Sequence, residues 1–529
     1  MHLRRAFFTA ALFSGAALTA LSVSHCSPTV VKPLQVAGPV IPGDSADPSL
    51  IRVGDDYWAV ATSSEWAPQF PIMHSKDLIS WEQVGAVFST PPDWSYENYW
   101  APEIVNDKGR YFVYYVARKK PVPSNPKAGD MLCVAVATAD KPEGPYTDHG
   151  PLVCQEDGSI DGAVIRDEND KAFLVWKEDG NSRGLPTPIF AQALSEDGTQ
   201  LVGEKTTLIV NDVPWEGGVV EAPFIMKQGD YFYMFYAGGG CCGAQCNYGE
   251  GVARSKHLLS GWEKNPLNPI VKSNATWKCP GHGSVVTDPN GRHFLLYHAY
   301  STQDSIYVGR QTILDEITWN SEGWPTINNR QGPAATRGTA PAFSDDFSGS
   351  SMTPGWQWPV GHLPTTGQAN GELTLTAAAA ENDDVLGAIV ARRTTSADYT
   401  AVAVLDTAGV SANTQAGLAA VGDQSNAVGI GILNGKAQVW KRQGGNLDKL
   451  GDSLAVSGAK LSLRMTAKDG HLFHFAVSPD GTTWTDVGPE VDGAYLPPWD
   501  RGVRVGLTAG GTSGASARFD SLNITPAPR

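Results

Sequence analysis

Apolar and polar residues recur in the same order five times within the first 330 residues of the chain. Each copy has a polar or aromatic residue, two small residues, a short apolar run, a Gly, Asp or Asn turn and an aromatic-rich run. The copies read "DPSLIRVGDDYWAVAT" from Asp47, "WAPEIVNDKGRYFVYYVA" from Trp100, "DGAVIRDENDKAFLVWK" from Asp161, "EAPFIMKQGDYFYMFYA" from Glu221 and "HGSVVTDPNGRHFLLYHA" from His282. The copies start about 60 residues apart, and two short runs joined by such a turn predict a hairpin in each.

A second repeated motif follows the hairpin and extends the repeat. "HSKDLISWEQVG" and "RSKHLLSGWEKN" occupy similar places in the first and fourth repeats. Each unit therefore predicts about four short strands, the content of one propeller blade. No repeat has a long helical period, β-helix repeats are much shorter, and stacked sandwiches would not repeat at this spacing. The pattern predicts a five-bladed β-propeller over residues 30–330.

The last third of the chain changes pattern. Residues 331–343, "QGPAATRGTAPAF", are rich in Pro, Gly and Ala, which is typical of a linker. Residues 344–529 carry short alternating runs such as "GELTLTA" and "AKLSLRMTA", which predict a jelly-roll, lectin-like β-sandwich. The predicted fold class is therefore all-β, with the propeller followed by the sandwich. The sandwich either braces the propeller, which we favour, or binds polysaccharide.

Five tryptophans of the second domain are candidates for contact with a sugar, although a core position is the expectation for most of them. They are Trp356, Trp358, Trp440, Trp484 and Trp499.

The N-terminus predicts secretion. Arg4 and Arg5 precede an apolar stretch and then small residues, the order found in a secretory signal peptide, here residues 1–25. A lipid anchor at Cys26 is the less favoured alternative, because His25 fits that processing site poorly. No later segment contains about 18 uncharged apolar residues, so no membrane span is predicted. We expect an extracellular or periplasmic protein.

Net charge narrows the class of partner. The formal net charge is −15, which argues against nucleic acid because nucleic-acid binding needs clustered Lys and Arg. An uncharged sugar remains compatible with this charge. The 57 glycines and 16 tryptophans fit an all-β protein with tight turns and aromatic-lined sites.

Six cysteines remain after Cys26, and an even number in a secreted chain favours disulfides. The segment "GGGCCGAQCNYG" is also open to a metal-cluster interpretation, but zinc sites usually use paired CxxC spacing. The sequence leaves the pairing open.

The five repeat starts are the candidate site. In a propeller the innermost strands line a central channel, so Asp47, Trp100, Asp161, Glu221 and His282 are expected to converge at one mouth. Three acids crowded together carry an electrostatic cost, which usually marks a functional site. Three carboxylates in register favour this interpretation over capping residues at turns.

Ring order suggests roles for the acids. Asp161 lies on the blade beside Glu221 and would raise its pKa, which suits Glu221 to act as a general acid. Asp47 lies across the opening, with the blade of His282 between, and is the candidate general base. Two carboxylates facing each other across a pocket are the machinery of glycoside hydrolysis, and a wide gap predicts inversion.

Four other residues are candidates for substrate or metal binding. Trp100 is either a platform for a sugar ring or a core residue, and Trp66 is a weaker candidate. Arg310 either binds a sugar, lies under the pocket or is a surface cation. His282 either holds water, coordinates a metal on the channel axis or has a structural role; histidine is a poor ligand for calcium.

These motifs together resemble glycoside hydrolase family 43. The resemblance rests on "ADPSLI", "YWAPEI", "SIDGAVI", "VVEAPFI" and "GHGSVV", continues through Arg310 to "DEITWNSEGWP", and covers about 300 residues. "SDDFSG" followed by "WQWPV" resembles the start of the C-terminal sandwich of xylosidase-type members.

The resemblance implies a five-bladed propeller and inverting hydrolysis. It implies Asp47 as base, Glu221 as acid and Asp161 as the residue that modulates the acid and orients the substrate. It also implies a possible calcium ion near His282 and plant cell-wall substrates such as arabinan and arabinoxylan. We expect release of L-arabinofuranose or D-xylose from chain ends. The alternatives are an endo-1,5-α-L-arabinanase and a non-catalytic carbohydrate-binding propeller.

Overall fold

In the computed structural model, the described residues are 34, 36–121, 130–377, 384–511 and 514–528. The predicted signal peptide and Cys26 lie outside them. Residues 36–529 form one compact unit. Among the described residues, no helix has both the length and the apolar content needed to cross a membrane.

The first part of this unit consists of five antiparallel sheets of four strands each, and in each sheet the strands follow chain order. Blade I contains β1 (Ser49–Val53), β2 (Asp56–Val60), β4 (Gln69–Ser75) and β5 (Glu82–Phe88), with the short β3 (Trp66–Ala67) between β2 and β4. Blade II contains β6 (Ser95–Asp107), β7 (Arg110–Lys119), β8 (Leu132–Ala139) and β9 (Thr147–Cys154). Blade III contains β10 (Ser159–Arg166), β11 (Ala172–Glu178), β12 (Ile189–Leu194) and β13 (Leu201–Ile209).

Blade IV contains β14 (Val220–Gln228), β15 (Tyr231–Gly238), β16 (Gly249–Ser255) and β17 (Glu263–Lys264). Blade V contains β18 (Trp277–Thr287), β19 (His293–Ser301), β20 (Arg310–Trp319) and β21 (Pro325–Ile327). The helices are short: α1 (Ser305–Val308) and the 3-10 turns Gly180–Arg183, Pro214–Glu216, Asn328–Arg330 and Thr407–Gly409.

The second strand of each hairpin explains the aromatic-rich runs of the sequence. Strands β7, β15 and β19 are buried along nearly their whole length, because both of their faces pack against neighbouring blades. A strand covered on both faces has no solvent side, so its sequence is continuously apolar rather than alternating.

The innermost strands β1, β6, β10, β14 and β18 contact one another in ring order, and β18 contacts β1. Small polar side chains support this ring: Ser49 accepts a hydrogen bond from the N–H of Ile104 at 3.1 Å, and Ser284 accepts one from the N–H of Leu50 at 3.2 Å. The segment before blade I returns to blade V, where the N–H of Thr312 donates to the carbonyl of Ile41 at 3.2 Å. The five-bladed propeller is confirmed.

Two facing sheets form the second domain. The eight-stranded sheet contains β22 (Phe343–Asp345), β24 (Thr365–Ala369), β25 (Glu372–Thr376), β27 (Tyr399–Asp406), β32 (Lys460–Lys468), β33 (Leu472–Ser478), β34 (Thr485–Asp492) and β36 (Ser516–Pro526). The six-stranded sheet contains β26 (Asp384–Arg393), β28 (Thr414–Asp423), β29 (Asn426–Leu433), β30 (Lys436–Gln443), β31 (Asn446–Ala455) and β35 (Arg504–Gly511). Their inner faces share one large apolar core, so the predicted β-sandwich is confirmed.

The two domains are joined by pairing and by burial. Strand β3 of blade I pairs with β23 (Trp358–Pro359) of the second domain. Trp66 is 1% exposed there and packs in a cluster with residues of the sandwich that include Trp440. Residues 331–337 lie along the propeller, where the indole N–H of Trp277 donates to the carbonyl of Ala335 at 2.8 Å.

A buried ion pair joins the two domains, and we expect it to stabilise their association. Arg504 and Asp44 lie 2.8 Å apart with side chains only 2% and 8% exposed. Removing one partner of a buried pair leaves an uncompensated charge, so we expect Asp44→Ala to lower the free energy of unfolding by about 3 kcal/mol. Urea denaturation measures this change.

The matched control removes an exposed ion pair of the same type. Lys441 and Asp448 lie 3.8 Å apart on the sandwich, and the Asp448 side chain is 60% exposed. Asp448→Ala should cost less than about 1 kcal/mol. Equal losses in both variants would show that the buried pair does not couple the domains.

Candidate active site

A bulge interrupts the innermost strand of blades II to V at the same place in each. The ladder between first and second strands skips residues 101–102, 161–162, 222–223 and 282–283. The first skipped residue has a positive φ in every blade: 42° at Ala101, 57° at Asp161, 55° at Ala222 and 54° at His282. In blade I, Asp47 has a φ of 52° just before β1 begins. Bulges of this kind re-aim side chains at functional sites.

The bulge corrects the predicted equivalence of the five repeat starts. Asp47, Asp161 and His282 occupy the left-handed position, whereas Trp100 and Glu221 precede it by one residue. Glu221 accordingly still pairs with Ala237 in the ladder. The sequence pattern aligned polar residues with one another, but the backbone of blades II and IV places Ala-Pro in the bulge.

An axial cavity shows that the five inner strands meet. Every blade contributes the residues of its bulge or those next to it: Pro48, Ser49, Ala101, Pro102, Glu103, Asp161, Gly162, Ala163, Ala222, Pro223, Phe224, His282, Gly283 and Ser284. Asp161 and His282 line this cavity directly. His282 in turn lies next to Asp47, with 3.4 Å between Nδ1 and Oδ1.

Asp47 is buried among hydrogen-bond donors. Its Oδ1 accepts a hydrogen bond from Arg310 Nη1 at 2.8 Å, and its Oδ2 accepts one from the hydroxyl of Thr62 at 2.6 Å. Burial by itself raises the pKa of a carboxyl, but the charges of Arg310 and then His282 hold the pKa of Asp47 well below its usual range. Asp47 is therefore a carboxylate at any pH near neutral.

Glu221 is bound by a cation, contrary to the sequence-based expectation. Lys177 Nζ lies 2.7 Å from Oε2, and the hydroxyl of Tyr248 donates to Oε1 at 2.7 Å. Burial works to raise the pKa of Glu221, but the charge and hydrogen bond of Lys177 outweigh it, so the pKa is lowered. The prediction that Glu221 has a raised pKa because of Asp161 is wrong, since Lys177, which the sequence did not place beside Glu221, lowers it.

Asp161 takes the opposite shift. Its Oδ2 accepts a hydrogen bond from the N–H of Ala222 at 2.8 Å. Burial raises the pKa of Asp161 to about 6; the nearby charges of Glu221 and Asp47 add to this, while His282 and Lys177 oppose it. The proton that Glu221 was expected to hold is thus bound more tightly by its neighbour Asp161.

A second ring of side chains, which sequence reasoning missed, holds these acids in place. In blades II to V, the ring consists of the second-strand residue paired with the position just before the bulge: Val116, Lys177, Ala237 and His298. In blade I, Thr62 takes this place just after β2, where its N–H donates to the carbonyl of Ala46. Thr62 and His298 contact Asp47, and Lys177 contacts Glu221. Comparing the second strands of the repeats would have revealed polar residues at this place in otherwise apolar runs.

His298, a member of that ring, is fully buried, with 0% of its surface exposed. Its Nδ1 accepts a hydrogen bond from the backbone N–H of Asp47 at 3.1 Å, and its ring stacks on Tyr248 at 5.8 Å. Burial, followed by the charge of Arg310, lowers the pKa of His298 to about 4. A neutral imidazole therefore fixes the backbone from which Asp47 projects.

The sandwich domain reaches the same site through residues 499–501. Arg310 is 4% exposed, and its Nη2 donates to the carbonyl of Asp500 at 3.0 Å. The carboxylate of Asp500 accepts a hydrogen bond from Ser64 at 2.8 Å. Trp499 is 60% exposed and meets Trp100 edge to face at 5.7 Å. Arg310 therefore connects Asp47 to the sandwich domain, and Trp100, partly buried against the propeller core, contacts a residue of the other domain.

Trp66 does not belong to this site. It is buried between the domains under the guanidinium of Arg504, 5.2 Å away, and presents no surface to a substrate. Among the sandwich tryptophans, Trp356 and Trp440 are core residues.

The residues around the axis offer little to a calcium ion. His282 provides a nitrogen, whereas calcium prefers oxygen ligands. In the part of the chain that the structure describes, no group of three or more His, Cys, Asp or Glu side chains is arranged to hold a metal. Calcium at this position stays a prediction.

The six cysteines after Cys26 form three disulfides, as predicted: Cys133–Cys154, Cys241–Cys242 and Cys246–Cys279. Disulfides, rather than a metal cluster, account for "GGGCCGAQCNYG".

Comparison with known proteins identifies both parts of the chain. The model of glycosyl hydrolases family 43 matches residues 36–325, and that of the beta xylosidase C-terminal concanavalin A-like domain matches residues 344–525. Xylosidase/arabinosidase 43B of Humicola insolens is 27% identical over 319 residues, which cover 57% of this chain and 56% of that protein. The extracellular exo-alpha-(1->5)-L-arabinofuranosidase ArbA of Cellvibrio japonicus is 28% identical over 318 residues, covering 54% of this chain and 87% of that protein. The alignment with the Humicola protein thus spans little more than half of its length.

A solved structure shares the fold of both domains. The GH43 BlXynB protein from Bacillus licheniformis superimposes with a TM-score of 0.78 at 24% identity, covering 93% of this chain and 100% of that one.

The raised pKa of Asp161 predicts a pH-dependent stability. The folded protein binds this proton more tightly than the unfolded chain, so the contribution of Asp161 is favourable at low pH and is lost as pH rises through about 6. Asp161→Asn removes the penalty, and we expect it to raise the free energy of unfolding by about 2 kcal/mol at pH 7 and by almost nothing near pH 4. Denaturant titrations at both pH values measure the difference. Asp170→Asn, which replaces an exposed carboxylate in a turn, is the control for the substitution itself.

Proposed function

Because the chain belongs to glycosyl hydrolase family 43, we propose that it hydrolyses the glycosidic bond of a terminal pentose, L-arabinofuranose or D-xylose, in plant cell-wall polysaccharides or oligosaccharides. The names of the related xylosidase/arabinosidase and arabinofuranosidase support this substrate class. Arabinan and arabinoxylan are the natural candidates.

One observation carries the proposal: Asp47 and Glu221 both act electrostatically on Asp161, and the pKa values of these three carboxyl groups are pushed apart. Asp47 is held ionised by Arg310, whereas Asp161 takes up a proton near pH 6 beside Glu221. At mildly acidic pH the site therefore contains a permanent carboxylate and an acid pair that shares a proton. A base and an acid available at the same pH are what hydrolysis of a glycosidic bond requires.

Each group then has a role. Asp47 takes a proton from the attacking water, and Arg310 keeps it ionised for this purpose. Glu221 delivers the proton to the leaving oxygen, and Asp161 supplies the pair with that proton while orienting the sugar. Asp47 and Glu221 stand on blades I and IV with blade V between them, which supports a gap wide enough for water and hence inversion of configuration.

Contacts from the second domain support action at chain ends. The segment 499–501 binds Arg310 through the carbonyl of Asp500 and places Trp499 against Trp100. A wall on this side of the opening would stop a polysaccharide from running through, so the enzyme would remove one terminal sugar at a time. Trp100 and Trp499 are the proposed aromatic contacts of that sugar.

We also propose that the protein works outside the reducing cytosol. Three disulfides among the described residues support this location, since such bonds persist in oxidising compartments.

The decisive experiment separates acid from base by the choice of leaving group. Nitrophenolate leaves without protonation, so Glu221→Gln should retain most activity on nitrophenyl pentosides but lose about 100-fold or more on oligosaccharides. Asp47→Asn should lose a similar factor on both substrates. Glu196→Gln, an exposed carboxyl on blade III, is the control and should behave as wild type.

Proton NMR of the first product identifies the stereochemistry. Inversion supports the roles of Asp47 and Glu221, and retention would contradict them. Cleavage of linear arabinan into oligomers would instead identify an endo-acting enzyme, and absence of hydrolysis on all pentosides would identify a binding protein.

Lys177 provides a pH test of the acid pair. Lys177→Met removes the cation that lowers the pKa of Glu221, so the acid should stay protonated to higher pH. We expect the pH at which kcat on oligosaccharides falls on the alkaline side to shift upward by about one pH unit or more. Lys171→Met, which removes a charge from an exposed turn, should leave the profile in place. An unshifted limb in Lys177→Met would show that this pair does not supply the proton.

A further inference from the structure

The loop that follows the hairpin of Glu221 carries an unusual covalent link. Cys241 and Cys242, neighbours in the chain, are joined by a disulfide between β15 and β16. Glu221 pairs with Ala237, and Val220 pairs with Gly238, the last residue of β15. The loop therefore leaves blade IV at the end that carries Glu221.

Hydrogen bonds fix the loop to the site on two sides. Tyr248, at its far end, donates to Glu221 Oε1 at 2.7 Å. The N–H of Gly243 donates to the hydroxyl of Tyr300 at 3.2 Å, and Tyr300 pairs with Arg310 across blade V. The loop thus extends from Tyr248, which binds Glu221, toward the strand that carries Arg310.

The same loop faces the sandwich domain. A methyl group placed on Gly243 would lie 3.6 Å from the carbonyl oxygen of Trp499. Cys241 packs against a small buried cluster that includes Ala222 and Tyr300, while Cys241 and Cys242 both stay partly exposed. The disulfide therefore lies beside Ala222, the residue next to Glu221, in a loop whose Gly243 approaches the exposed Trp499.

Stabilisation of the folded state does not explain this disulfide. Disulfides stabilise by closing long loops in the unfolded chain, and a link between adjacent residues closes almost none. The loop is in any case tied to β18 by Cys246–Cys279, whose partners are 33 residues apart. What the adjacent link does provide is a small rigid ring whose sulfur atoms have no hydrogen to donate and are strongly polarizable.

We propose that the Cys241–Cys242 disulfide is an apolar platform for the sugar ring on the leaving-group side of the bond that is cleaved. Pentose rings have a face of C–H groups that packs on flat apolar surfaces, and ligand sites combine such surfaces with a few polar groups. Glu221 protonates the leaving oxygen, so the sugar attached to that oxygen extends over the adjoining loop. This inference rests on the proposed function and names a specificity element within it.

The experiment compares two disulfide deletions on two kinds of substrate. Cys241→Ala/Cys242→Ala removes the platform, and Cys133→Ala/Cys154→Ala removes the bond between β8 and β9 on blade II. The substrates are a pentose disaccharide, whose leaving group is a ring, and the methyl glycoside of the same pentose, whose leaving group is not. We expect the first variant to raise KM for the disaccharide about tenfold, corresponding to about 1.4 kcal/mol. The values of kcat, the pH profile and the KM for the methyl glycoside should stay within about twofold of wild type.

Several outcomes would overturn the inference. One is an unchanged KM for the disaccharide, and another is an equal rise for the methyl glycoside, which would place the effect on Tyr248 and Glu221. A rise of the same size in Cys133→Ala/Cys154→Ala would assign it to general destabilisation, which thermal melting of both variants checks.

Failure of the proposed function is distinguishable from failure of the platform. If the wild type hydrolyses no pentoside, titration calorimetry with the disaccharide still tests the inference, because the platform predicts about a tenfold higher Kd in Cys241→Ala/Cys242→Ala. An equal Kd in variant and wild type would overturn it.

Discussion

Burying three carboxylates close to one another is the constraint on which this structure depends. A buried carboxylate is stable only when donors or cations replace the water it loses. Arg310 provides this for Asp47, and Lys177 provides it for Glu221. Asp161 has only a backbone N–H as hydrogen-bond partner among the contacts described, and its pKa is accordingly raised. The unequal distribution of cations makes three similar side chains chemically different.

Each blade has a left-handed residue in its inner strand or just before it, and this residue sets the geometry of the site. In blades II to V a bulge with one left-handed residue interrupts the inner strand, and in blade I the left-handed residue Asp47 lies just before β1. A neighbouring position on the second strand then supplies Thr62, Lys177 or His298 as support. Because both positions recur in each blade, a repeated scaffold produces a site in which no two blades contribute the same chemistry.

The second domain takes part in this arrangement rather than standing apart from it. Asp500 accepts a hydrogen bond from Arg310, so a sandwich residue helps to orient the cation that keeps Asp47 ionised. The buried pair of Arg504 and Asp44 and the burial of Trp66 hold the domains in the register that this contact needs. The bracing role favoured from the sequence thus has a direct physical connection to the chemistry of the propeller.

The sequence by itself determined the five repeats, the sandwich and the three acids, because strand alternation and turn chemistry are local and recur at a fixed spacing. It did not determine the position of Glu221 relative to the bulge, since a one-residue offset leaves the pattern of residue types unchanged. The fit of Lys177 against Glu221, the burial of Trp66 and the pairing of Cys241 with its neighbour were decided only by the tertiary structure. A pKa depends on charges that arrive from other blades, and exposure depends on the packing of a second domain, so neither is encoded in the order of residues around the site itself.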